Sequence, residues 1–124
     1  MTEKSLTAEQ TRAVKSFLEG YRLNAKLLRL NKYEKDYLGG DKIYVPPEDT
    51  PLEDPLARAR MFEVRHFILG LDNSDEKLFL YYKYVKGESV ENCAELLGIS
   101  RRTAYRLFSK ALYMAYKYGY GTYF

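Results

Sequence analysis

SVENCAELLGISRRTAYRLFSKAL, residues 89–112, reads as two short helices interrupted at Gly98. Ser89 is a side-chain acceptor ahead of the first helix, Val90 to Leu97, and Gly98 supplies the left-handed residue that ends it. Ser100 caps the second, which carries Arg101, Arg102 and Arg106 in its opening turns. Two helices that cross steeply need small residues where they touch, and Ala94, Ala104 and Ala111 meet that need. Val90, Cys93, Leu97, Ile99, Leu107 and Leu112 form the inward face. Residues 100–103, 105, 106, 109 and 110 are left outside, and four of these eight are Lys or Arg. A helix with a cationic outer face and an apolar inner one has the chemistry to enter the major groove of DNA.

Charge follows the same division. Residues 77–124 hold 8 basic against 3 acidic side chains, a balance of +5, while residues 1–76 come to −2. A basic excess around the cationic helix is what a domain that meets phosphates requires. With 124 residues, 46% of them hydrophobic and 30% charged, the composition is that of an ordinary globular chain. It suffices for one domain, or for a small module with an extension. The single cysteine, Cys93, excludes an internal disulfide and reads as a small core residue rather than a redox switch. No apolar run approaches the ~20 residues that span a bilayer, and MTEKSLTAEQ lacks a signal core, so a cytoplasmic protein with no membrane partner is expected.

Upstream, Thr7 and Gln10 form a capping box. Apolar positions at Val14, Phe17 or Leu18, Tyr21, Ala25 and Leu28 predict one helix as far as Leu38, about 48 Å long at 1.5 Å per residue, with a possible bend at Gly20. Gly39-Gly40 ends it. All four prolines lie between Pro46 and Pro55, marking a loop over 39–54. Asp54 as cap and Pro55 as first residue predict a helix to about Leu71, with Ala57, Met61, Val64, Phe67, Ile68 and Leu71 on one side. A further helix, Ser74 to Lys86, is expected to turn Leu78, Tyr81 or Tyr82, and Val85 inward. No segment alternates at period two, so the fold class is all-α. The expected division is a helical extension over 1–71, in which the long helix packs coiled-coil-like on the second, and a helix-turn-helix domain over 72–124. Packing those two helices alone leaves Val14, Phe17 and Leu18 uncovered, which motivates a homodimer through the N-terminal helix.

LYYKYVKGESVENCAELLGISRRTAYRLFSKAL, residues 80–112, also carries a resemblance. Lys83-Tyr84, Gly87, Ala94, Leu97-Gly98-Ile99-Ser100, Thr103, Arg106 and Lys110-Ala111-Leu112 follow the pattern of region four of bacterial sigma factors. With the helical N-terminal extension, the layout is similar to phage and prophage transcriptional regulators of the ArpU type. The resemblance implies that Arg101, Arg102, Tyr105 and Arg106 face the major groove of double-stranded DNA. It places Ser89, Ser100, Thr103 and Lys110 near phosphates and implies RNA polymerase as a further partner in a bacterial host, at the nucleoid. Arg102 departs from the acidic residue often found there and favours guanine or phosphate, so a target other than the usual −35 element is expected.

The chain has no nucleophile motif, no Gly-rich phosphate loop and no ligand cluster around His66, its one histidine, so neither an enzyme nor a cofactor nor a metal is expected. Glu48-Asp49 and Glu53-Asp54, among prolines, read as a solvated loop. Thirteen tyrosines without a tryptophan are unusual. Tyr113, Tyr116 and the tail to Phe124 read as candidates for a subunit interface, where Tyr is enriched. Two rival functions share these features: a small-terminase-type packaging protein, and an adaptor that docks polymerase without binding DNA.

Overall fold

Thr7 and Gln10 cap one another, the Thr7 N–H donating to Gln10 Oε1 at 2.9 Å and the Gln10 N–H to Thr7 Oγ1 at 3.1 Å. From this reciprocal cap the first helix, α1, runs Ala8–Tyr33 without a break at Gly20. A computed structural model describes residues 5–33 and 53–124, with side chains for 5–30 and 55–124. The end of the long helix beyond residue 33, Gly39-Gly40 and the proline loop as far as residue 52 lie outside the described residues, whereas Glu53 and Asp54, expected as loop and cap, are already helical. Among the described residues four more helices follow: α2 (Glu53–Leu69), α3 (Ser74–Leu80), α4 (Val90–Leu97) and α5 (Arg101–Gly119). The fold is all-α, and no strand occurs among the described residues.

α2 begins at Glu53, earlier than the Asp54-Pro55 pair suggests, with Pro55 in its first turn, where a missing N–H costs nothing. Its inward side is the expected one: Ala57, Val64, Phe67 and Ile68 are buried and Met61 is half-buried; the helix ends at Leu69, and Leu71 is buried just past it. Asn73 caps α3 by accepting from the Glu76 N–H at 3.0 Å.

The expected continuous helix to Lys86 is corrected by the backbone. After Leu80 the chain widens into a π turn over Tyr81–Val85, with Lys86 N–H reaching Tyr81 O at 3.1 Å. The extra residue per turn rotates the inward face. Tyr84 and Val85 are buried in the π turn and Tyr81 and Tyr82 half-buried; in α3 before it Phe79 and Leu80 are buried, whereas Leu78, expected inside, is exposed.

Two clusters of buried side chains organise the molecule. The larger joins Val14 and Leu18 of α1 with Val64, Phe67 and Ile68 of α2, Leu80, Tyr84 and Val85, and Ala111, Leu112 and Ala115 of α5. Val14 and Leu18, expected to need a partner's cover, are fully buried inside one chain because α5 and the π turn lie over α1. Phe17 is covered too, edge-on to Phe67 at 5.2 Å and to Phe124 at 5.7 Å. That removes the packing argument for a homodimer through α1. The smaller cluster holds Phe79, Val90, Cys93, Ala94 and Ala104, with Leu97, Ile99 and Leu107 at its edge. It fixes α4 and α5 against α3.

The tyrosine-rich tail has a structural task. Thr122, Tyr123 and Phe124 donate their N–H groups to Gly119 O, folding the chain end back. Phe124 then stacks on Tyr116 at 5.7 Å, while Tyr123 meets Phe17 at 4.9 Å and Phe67 at 5.3 Å. Tyr116 also accepts a hydrogen bond from Gln10 Nε2 at 3.3 Å. Tyr116, Tyr123 and Phe124 thus close the end of the core within the chain, while Tyr118 and Tyr120 stay exposed.

Candidate nucleic-acid interface

The turn between α4 and α5 fixes how α5 is presented. Gly98 adopts φ 69° and ψ 35°, and the Ile99 N–H returns to Ala94 O at 3.0 Å, closing the end of α4. Ile99 is thereby half-buried in the smaller cluster. Ser100 then starts α5, its Oγ accepting from the Thr103 N–H at 3.1 Å and donating to Thr103 Oγ1 at 2.9 Å. Ser89 does the same for α4, accepting from the Asn92 N–H at 3.1 Å. Two site residues inferred from the sequence, Ser89 and Ser100, therefore have structural duties as caps, and a third, Thr103, is the partner of the Ser100 cap.

Ser100, Arg101, Arg102, Thr103, Tyr105, Arg106 and Lys110 are all exposed, as is Ser109. Ala104 and Ala111 lie fully buried on the opposite side of the same helix. Arg101, Arg102, Tyr105, Arg106, Ser109 and Lys110 line one shallow surface, which continues into Tyr113 and Met114. The structure thus brings the outer face of α5 into a single strip, and Ser89 sits apart from it at the start of α4.

Two acidic residues that the sequence reading passed over touch this strip. Glu91, in the first turn of α4, accepts from the Tyr105 hydroxyl at 3.0 Å and pairs with Arg101 Nε at 3.3 Å. Its own backbone N–H, then the Tyr105 hydroxyl and the Arg101 charge, hold its carboxyl below the usual range. Arg101 also lies over the Tyr105 ring, 5.9 Å from its centroid. The second is Glu76 of α3, which is buried and stands 3.9 Å from Lys110 Nζ. Burial raises its pKa, Lys110 partly opposing the rise and Asp75 adding to it. Neither pairing is legible locally, since each joins residues from different helices.

Behind the strip, Phe108 links the clusters, stacking on Phe79 at 5.4 Å beneath the ammonium groups of Lys15 at 5.5 Å and Lys83 at 5.8 Å. Cys93 is fully buried, and burial raises its thiol pKa despite the nearby Lys83, so the sulfur is held as a poor nucleophile. His66 is exposed and stacks on Phe62 at 5.6 Å. Among the described residues, no group of three or more His, Cys, Asp or Glu could hold a metal ion. No described helix is long and apolar enough to cross a membrane. Searches against protein-family models, curated proteins and solved structures find no match to this chain.

Proposed function

We propose that the chain is a sequence-specific double-stranded-DNA-binding transcriptional regulator, encoded by a phage or prophage, that reads the major groove with α5. The observation that carries this reading is the alignment of Arg101, Arg102, Arg106 and Lys110 on one exposed face of a helix whose opposite face is buried. Arginine forks suit guanine edges and phosphate oxygens, and a helix of this width fits the major groove. The first turn of α5 leaves backbone N–H groups outside the intrahelical ladder, and these favour phosphate. Ser89 lies at the start of α4, where a second strand contact belongs. The resemblance to sigma region four supports action at a promoter in the bacterial cytoplasm, beside RNA polymerase and without catalysis by the chain itself.

Fluorescence anisotropy with labelled duplexes tests the reading, preceded by selection of bound sequences from a random pool. Arg102→Ala or Arg106→Ala should alter the preferred sequence. Lys110→Ala should weaken binding to all duplexes and lower the salt slope by about one. Duplex affinity unchanged in an Arg101/Arg102/Arg106 triple alanine variant would sink the proposal.

A further inference from the structure

α2 is apolar on two opposite sides. Its inner side enters the core, and on its outer side Pro55, Ala59, Phe62, His66 and Leu69 are all exposed. Phe62 is 67% and Leu69 46% accessible. Their spacing is four, three, four and three, and at 3.6 residues per turn they fall within a stripe of roughly 80°. This is the 3.5-residue repeat of a coiled-coil seam, with Ala59 and His66 at the first core position and Pro55, Phe62 and Leu69 at the second. Tyr118, 52% exposed, extends the stripe, because its hydroxyl lies against Gly70 where a side chain would otherwise sit.

The charges beside the seam select the occupant. Arg58 and Arg65 flank one edge, and Leu56, Glu63 and, one residue past the helix end, Gly70 the other. If two copies of α2 pack parallel and in register, the edge residue of one helix meets the residue five positions further along its partner. Arg58 then faces Glu63 of the other copy, twice by symmetry, and Arg65 faces Gly70 without repulsion. Antiparallel packing would instead set the arginine edge against itself and Glu63 near its own counterpart. We propose that the outward seam of α2 is the interface between two copies of this chain, packed parallel and in register around Phe62 and Leu69. The interface differs from the one expected at α1, whose Val14, Phe17 and Leu18 are covered within the chain. It does not depend on what α5 binds.

Two heptads bury little area, so the dimer forms at micromolar concentrations rather than below. Sedimentation velocity of the full chain across that range should show a concentration-dependent dimer, and Phe62→Asp should abolish it without loss of helicity, since Phe62 is outside the core. Arg58→Glu or Glu63→Arg alone should loosen the dimer by roughly tenfold, removing two symmetric pairs. The combined Arg58→Glu/Glu63→Arg variant should restore it. A wild-type chain that stays monomeric, a Phe62→Asp variant that still dimerises, or a double swap no tighter than either single one would each overturn the proposal. The first result would assign the seam to another occupant, and the last would exclude the parallel register.

Discussion

A methyl group added at residue 98 would meet no atom within 4 Å. Gly98→Ala therefore carries only the strain of a left-handed backbone, about 1 kcal/mol, measurable by urea unfolding. At Gly87, also left-handed at φ 79°, the added carbon would displace only the guanidinium end of the exposed Arg22, so Gly87→Ala should cost about as much. Glu76 supplies a pH dependence. Its folded-state pKa is raised, so the folded state holds the proton more tightly than the unfolded one. The associated stability is full below the unfolded pKa and is lost as pH rises through the window up to the folded pKa. Glu76→Gln should flatten that fall. Lys110→Ala, by stripping the buried carboxylate of its counter-charge, should deepen it by about 1 kcal/mol at neutral pH. Denaturant titrations in mildly acidic and neutral buffer separate the two.

At the scale of elements, the α5 cap lets stability and binding be tested apart. Ser100→Ala leaves the Thr103 N–H without its acceptor and should cost about 1 kcal/mol. Ser100→Asp keeps the acceptor and adds a negative charge at a helix N-terminus, so its melting temperature should hold or rise. If α5 meets phosphates, the same Asp should weaken duplex binding more than Ser100→Ala does. Equal affinities would show that this end of α5 lies away from the backbone. The caps at Thr7, Ser89 and Ser100 and the end of α4 at Gly98 were legible because each depends on residues within five positions. The π turn was not: Tyr81–Val85 contains no breaker, and its extra residue answers to where Tyr84 and Val85 find cover.

For the molecule as a whole, the larger cluster crosses between α1–α2 and the C-terminal helices, so they should unfold together. Leu18→Ala, at a fully buried site beneath α5, should cost about 2–5 kcal/mol. Helicity by circular dichroism and tyrosine fluorescence should then give coincident transitions in both variant and wild type. Two separate transitions would mean the N-terminal helices are an independent unit. If the seam of α2 and the groove-reading role of α5 both hold, the two α5 helices are related by a twofold axis. The selected duplexes should then contain an inverted repeat, lost in Phe62→Asp while half-site binding persists.

The helical class, the caps at Thr7, Ser89 and Ser100, the inward face of α2 and the outward set on α5 were readable from the residues alone, since each follows from spacing within a few positions. Where the apolar surplus goes is settled by packing between distant helices. Val14, Phe17 and Leu18 could have been covered by another chain or by distant parts of this one, and α5 with its returning tail covers them. The same holds for Glu91 and Glu76, whose partners lie across turns that no periodicity describes. Burial is a competition among all faces of the molecule at once, and a pattern confined to one helix shows which residues seek cover without showing what provides it.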